Sequence, residues 1–278
     1  MFEQPRQLNI TLKSPAEIEK MRVAGAAAAR VLEMIEPYVK PGITTKELDD
    51  IMDDYIENVE HAKSADKGYK LGDNYPPYPA ATCISVNEVV CHGIPGSYKL
   101  KDGDILNIDV TVLKDGYHGD TSRMYIVGHV PPRVEELCKV TQQCMYEAIK
   151  TVHPGSNIRD IGDAIEKVAH KAGFTIVEEY CGHGIGSGFH EEPSILHYHN
   201  YNNYFNPSII VQEGMCFTIE PMINLGKKKI KQKNGGWTVT TADKKPTAQY
   251  EHTLLVTSNG VEVLTLRKDE DFPRIITH

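Results

Sequence analysis

A chain of 278 residues, 40% apolar and 24% charged, is long enough to bury a sizeable core. Its formal net charge of −8 argues against general affinity for DNA or other nucleic acid. No run of 18 apolar residues suggests a membrane span, and residues 1–6 lack the apolar stretch of a signal peptide.

Ser14-Pro15-Ala16-Glu17 reads as a capping box with proline at the first helical position, and it predicts a helix from 15 to about 39, stopped by Pro41-Gly42. Thr44 and Glu47 open a second helix whose apolar face is Leu48, Ile51, Tyr55, Ile56 and Val59. A loop rich in Gly, Tyr and Pro follows over 67–79, and then a strand over 82–90 that ends at Cys91-His92-Gly93-Ile94-Pro95. From 104 to 113, Leu106, Ile108, Val110 and Val112 alternate with Asn107, Asp109 and Thr111, as in a half-buried strand. Asp115-Gly116 is a strong two-residue hairpin signal. With that turn, paired positions sum to 231, so Thr111 faces Asp120 and Asp109 is the diagonal neighbour of Asp120 on one face.

The second half repeats this order. Helices are expected over 134–152 and from Asn157, with strands near 174–180, 208–211, 215–219, 237–241 and 250–256, and a last hairpin at Asn259-Gly260. Val39-Lys40-Pro41-Gly42 matches Val152-His153-Pro154-Gly155 at an offset of 113 residues. The expected architecture is α+β: one domain over 1–278 built from two similar halves, about 14–130 and 131–268, with strands that join in a shared antiparallel sheet. Six cysteines without C-x-x-C spacing fit free thiols in a reducing cytoplasm.

Glu220 follows the apolar run Phe217-Thr218-Ile219, and Glu251 sits within Gln249-Tyr250-Glu251-His252-Thr253. The duplicated layout brings both against Asp109 and Asp120. Four carboxylates packed together repel one another unless cations lie between them, which is the reason to expect metal. His183 and His190 lie in a stretch with glycine at 182, 184, 186 and 188, which lets backbone approach closely.

Taken together, Val90 to Pro95, Asn107 to Val110, Gly119 to Ser122, Gly182 to Gly186, Phe189 to Pro193, Thr218 to Pro221 and Gln249 to Thr253 resemble the type I methionine aminopeptidases over about residues 12–268. The resemblance implies the pita-bread fold and Asp109, Asp120, His183, Glu220 and Glu251 as ligands of two divalent ions. An oxygen-rich set with one imidazole suits Mn, Fe(II), Co or Zn. It further implies His92, His190 and Glu220 as catalytic residues, and Tyr75, Tyr78, Cys83, Phe189 and Trp237, with the two histidines, as the substrate site. The implied substrates are nascent polypeptide amino termini with a small second residue, met by a monomer in the cytoplasm. Glu220 would pass the proton of a metal-activated water, His190 would steady the developing oxyanion, and His92 would aid departure of the amine.

Gly72 stands where bacterial relatives often carry cysteine, so that wall of the pocket is expected to differ, and 197–206 reads as a longer surface loop in which His197 and His199 offer a second metal reading. The five lysines in 227–233 suit either a solvated hairpin turn or contact with the ribosome. Rival readings are a prolidase or Xaa-Pro aminopeptidase, and a non-catalytic binding protein of the same fold.

Overall fold

The computed structural model describes residues 8–72, 75–202, 206–233 and 236–278. Residues 1–6 and parts of the loops 67–79 and 197–206 that the sequence singles out therefore lie outside or partly outside the described residues.

Two helices open the chain, α1 (Pro15–Ile35) and α2 (Thr45–Asn58), each under the predicted capping box. Ser14 N–H donates to Glu17 (2.8 Å), and Thr44 N–H does the same to Glu47 (2.8 Å). α1 ends four residues short of the expected 39, because Pro37 lacks the N–H an α-turn needs and residues 36–38 tighten into a 3₁₀ turn. Strands β1 (Lys63–Ser64), β2 (Cys83–Val86), β3 (Val89–Cys91), β4 (Ile105–Lys114) and β5 (Tyr117–Ile126) follow. The single strand expected over 82–90 is thus two, broken at Asn87, which takes φ +55°.

Helices α3 (Pro132–Ile149) and α4 (Arg159–Lys171) begin the second half. Then come β6 (Thr175–Ile176), β7 (Gly182–Gly184), β8 (Glu191–Ile195), β9 (Cys216–Ile219) and β10 (Met222–Asn224). The chain continues through β11 (Ile230–Gln232), β12 (Val239–Thr241), β13 (Thr247–Gln249), β14 (His252–Thr257), β15 (Gly260–Val263) and β16 (Ile275–Thr277). The strand expected at 208–211 is only a bridge between Asn157 and Ile210. The last hairpin turns one residue early, with Thr257 opposite Gly260. Gly260 serves contact instead: a Cβ there would lie 1.9 Å from the Ile276 carbonyl oxygen of β16.

β4 and β5 pair antiparallel along ten residues in the predicted register, Thr111 opposite Asp120. The other edge of β4 is shared by β1 at its far end and β2 nearer its start. A second sheet runs β16-β15-β14-β9-β7-β8. The two sheets meet at one bridge, where Glu251 N–H donates to the Ser122 carbonyl (3.1 Å) and Ser122 N–H to the Glu251 carbonyl (3.4 Å).

The helices cover the outer faces. Ala28, Val31 and Leu32 of α1 bury Leu106, Ile108, Val110 and Val112, while Leu137, Met145, Ile161 and Ile165 of α3 and α4 bury Phe217, Ile219 and Leu254. Alternation leaves Asn107, Asp109 and Thr111 on the opposite face of β4, toward the seam between the sheets. Leu32 is fully buried. Leu32→Ala is expected to cost about 2–5 kcal/mol in urea unfolding through the cavity it leaves.

Candidate metal centre and substrate slot

The seam gathers all five sequence-derived ligands. Atoms of Asp120, His183 and Glu251 lie within 4.8 Å of one another. His183 Nε2 is 3.6 Å from Asp120 Oδ2 and 3.7 Å from Glu220 Oε1. Its Nδ1 lies 2.9 Å from the Gly184 carbonyl oxygen, an acceptor, so Nδ1 carries a proton and Nε2 faces two carboxylates. That contact needs a proton on Nε2 or a metal cation in its place: burial disfavours the imidazolium, but Asp120 and Glu220 outweigh it and raise the His183 pKa.

Two of the four carboxylates are also held from behind. Thr111 Oγ1 donates to Asp120 Oδ1 (2.8 Å), and Thr218 Oγ1 and Gln249 Nε2 donate to Glu220 (2.9 and 3.3 Å). Asp109 and Glu251 hydrogen-bond each other, which requires a shared proton in the absence of metal. Glu251 Oε1 is buried without a partner among the described residues.

The electrostatics follow from this crowding. Burial, then Asp120, Asp66 and Glu220, push the Asp109 carboxyl well above the usual range. Burial, then Asp120, Glu220 and Asp109, do the same to Glu251. Glu220 rises to about 7, chiefly through burial, with His183 opposing and Asp120 adding to the shift. An orphaned buried oxygen, an oriented imidazole and a packed carboxylate set fit divalent metal.

Beside this centre lies a buried apolar cluster, the residues that would line a substrate slot. Cys83 sits directly opposite Asp109 across β2 and β4, and it packs with Tyr78, Ala80 and Trp237. Tyr78 meets Trp237 edge-on at 5.2 Å and donates its hydroxyl to the Gly93 carbonyl (2.9 Å), while Trp237 Nε1 donates to the Pro76 carbonyl (2.9 Å). Tyr75 reaches the slot through the Trp237 ring, 5.9 Å away. His92 also faces Trp237 edge-on at 5.9 Å, and burial lowers its pKa to about 4, which keeps it neutral near pH 7. The Gly-rich loop brings Phe189 and His190 to the opposite rim. His190 stacks on Phe189 at 4.3 Å and lies 4.2 Å from the His183 ring.

Two residues with functional contacts, Tyr69 and Asp66, escaped the sequence reading, and a third, His197, was assigned to a surface loop. Tyr69 packs against the Tyr78, Cys83 and Trp237 cluster, lies 4.9 Å from the Phe189 ring, and has its hydroxyl 2.8 Å from His190 Nδ1. Asp66 Oδ2 accepts the Thr111 N–H (3.2 Å). His197 is 1% exposed, and its Nε2 accepts the Glu220 N–H (3.2 Å).

Two expectations are corrected accordingly. Gly72 is exposed, and a Cβ there would meet nothing within 4 Å, so it forms no wall of the slot. The surface-loop reading of 197–206 fails for His197, because the chain turns inward there to satisfy the Glu220 amide, but holds for the exposed His199, which pairs with Asp163 at 2.8 Å. His197→Ala is expected to leave that buried N–H unpaired and to cost about 1–3 kcal/mol, measured by thermal unfolding at fixed metal concentration.

The model of metallopeptidase family M24 matches residues 19–258. The chain belongs to this family. It is 58% identical to the methionine aminopeptidase of Escherichia coli K12 over 270 residues, 97% of this chain and 98% of that protein. It is 48% identical to the methionine aminopeptidase of Buchnera aphidicola subsp. Baizongia pistaciae, over 96% of this chain and 97% of that protein. Among solved structures, methionine aminopeptidase from Rickettsia prowazekii superposes with a TM-score of 0.87 at 45% identity, covering 93% of this chain and all of that one. Prolidase from Pyrococcus furiosus shares the fold alone, with a TM-score of 0.72 at 20% identity, and the chain covers 66% of its length. The architecture is the family's pita-bread fold, and the free cysteines at 83, 91, 138, 144, 181 and 216 are consistent with the thiol reading.

Proposed function

We infer that the protein removes the amino-terminal methionine from nascent chains and peptides by metal-dependent hydrolysis. The carrying observation is an apolar, sulfur-compatible side-chain cluster set against the carboxylate centre, with Cys83 directly opposite Asp109. In this reading Asp109, Asp120, His183, Glu220 and Glu251 hold two divalent ions drawn from Mn, Fe(II), Co and Zn. When bound, those ions supply Lewis acidity toward the attacking water and the scissile carbonyl.

The chain's own residues do the rest. Glu220 takes the proton from the attacking water and returns it toward the leaving amine, a role suited to a carboxyl whose pKa is drawn to about 7. His190, its Nδ1 tied to Tyr69, presents Nε2 to the developing oxyanion. His92, kept neutral by burial, donates to or accepts from the scissile amide. Tyr78, Cys83, Phe189, Trp237 and Tyr75 exclude water around the methionine side chain.

The substrates proposed are amino termini with a small second residue, processed in the cytoplasm by a monomer. The halves 14–130 and 131–268 act as one catalytic domain. Lys227, Lys228, Lys229, Lys231 and Lys233 are exposed around β11 and offer a basic contact to ribosomal RNA. No helix among the described residues is long and apolar enough to cross a membrane.

The test is methionine release from Met-Ala-Ser, and amino acid release from an Ala-Pro peptide, after chelation and after addition of Mn or Co. Metal-restored cleavage of Met-Ala-Ser alone is expected. Cleavage of the Ala-Pro peptide instead would move the protein to the proline-directed branch of the fold.

A further inference from the structure

Asp66 is a fifth carboxyl at the centre, and the ligand set does not use it. On the outer edge of β4, β1 pairs with Leu113 and Val112, while β2 pairs with 106–109. Neither strand faces Val110 or Thr111. The chain leaving β1 fills that gap: Ala65 N–H donates to the Thr111 carbonyl (2.9 Å), and the Asp66 carboxylate accepts the Thr111 N–H through Oδ2 (3.2 Å). Thr111 therefore holds two carboxylates, Asp66 through its amide and Asp120 through its hydroxyl (2.8 Å).

The surroundings of Asp66 fix its place further. Its carbonyl accepts the Tyr69 N–H (2.9 Å), and Tyr69 forms part of the slot. Among charged neighbours, Asp66 acts on the Cys83 thiol more strongly than Asp109 does, although Asp109 is the strand partner of Cys83. It also acts on Asp109, Tyr69 and Tyr78. Asp66 thus stands where the slot meets the metal carboxylates.

That junction has a definite chemical meaning if the protein acts as proposed above, and this inference rests on that reading. The α-carbon of the substrate's first residue joins three groups: a side chain bound for the slot, a carbonyl bound for the metal, and the α-amino group. A residue between slot and metal faces the amino group. Burial, then Asp120, push the Asp66 carboxyl well above the usual range in the metal-free protein; two divalent cations would neutralise the four ligand carboxylates, and a further carboxylate beside them would complement a cation.

We propose that Asp66 anchors the free α-amino group of the substrate, and so makes the site selective for chain ends. Its Oδ2 is positioned by Thr111, and its other oxygen accepts from the amine. An interior peptide bond offers an amide nitrogen at that point, with one hydrogen and no charge, and loses the charge-assisted bond.

The test compares two ligands that share the methionine side chain and carboxylate but differ in the amine: free L-methionine and 4-(methylthio)butanoate, each as a competitor of Met-Ala-Ser hydrolysis by the metal-loaded enzyme. Direct calorimetric titration of both gives a readout independent of turnover. Asp66→Asn can still accept the Thr111 N–H, and Asp66→Ser supplies the same comparison should the first variant fold poorly. The expected result is about a tenfold weaker affinity for methionine and a similar rise in KM, with kcat, metal content and affinity for 4-(methylthio)butanoate unchanged. Equal weakening of both ligands would assign Asp66 to the shape of the slot and overturn the proposal, as would loss of metal or an unchanged affinity for methionine. Failure of the unmodified enzyme to release methionine would instead overturn the underlying activity.

Discussion

Glu220→Gln is expected to lower kcat for Met-Ala-Ser by about 10²- to 10⁴-fold, the range associated with a positioned general acid–base group. Glutamine keeps the shape of the side chain and one of the two acceptor oxygens that Thr218 Oγ1 and Gln249 Nε2 use to hold Glu220 in place. It cannot take up a proton at the working pH. Because Glu220 is also a proposed ligand, metal content must be measured beside the rate. A variant that retained both its metal and full kcat would remove Glu220 from the proton path. A variant that lost its metal but recovered full kcat at high metal concentration would leave it a ligand only.

The second large effect concerns the metal-free protein. Glu220 has its pKa raised from 4.5 to about 7 in the folded state, first by burial and further by Asp120. A carboxyl raised on folding contributes stability that is fully present below its unfolded pKa and is lost as pH rises through the folded value. The window is therefore roughly pH 4.5 to 7 for Glu220, and Asp109 and Glu251, both raised well above the usual range, extend it upward. His92 works in the opposite sense: lowered to about 4 by burial, it favours the folded state as pH climbs toward 6.5.

Glu220→Gln isolates the carboxylate part of this balance. The metal-free variant is expected to match the metal-free parent at pH 5 and to exceed it at pH 8 by on the order of 3 kcal/mol, or about 5–10 °C in Tm. Saturating Mn should reverse the order at pH 8, because the parent then gains more from the cation. Equal melting temperatures of the two metal-free proteins at pH 8 would mean that the carboxylates do not repel one another as the geometry requires.

How much of this was legible in the sequence depends on how local the signal was. The pairing of Thr111 with Asp120 followed from one turn: Asp115 and Gly116 take φ of +51° and +80°, and a two-residue turn leaves the flanking strands a single register. Glu220 stood out because it ends an apolar strand, where an acidic side chain needs a partner. The short strands were harder. β6, β10, β11 and β13 have two or three residues each, too few for a period to show.

Asp66, Tyr69 and His197 had no periodic context at all. Asp66 lies between Ala65 and Lys67 in what reads as an ordinary polar loop, and only the gap between β1 and β2 gives its carboxylate a purpose. His197 looked like one of several polar residues in an extended loop, and its role depends on an amide 23 residues away. A misplaced slot wall at Gly72 has the same origin, since the loop around it carries no pattern that fixes which residue turns inward.

The bridge between Ser122 and Glu251 has a consequence for synthesis. The centre draws Asp109 and Asp120 from one hairpin, but His183, Glu220 and Glu251 from segments made much later. A growing copy of this chain carries the first two carboxylates, spaced by their own hairpin, long before their counterparts exist. It gains a competent centre only once residue 251 has left the exit channel and β14 has docked on β9. Until then three of the five proposed ligands are missing, so a complete centre belongs only to a nearly finished molecule.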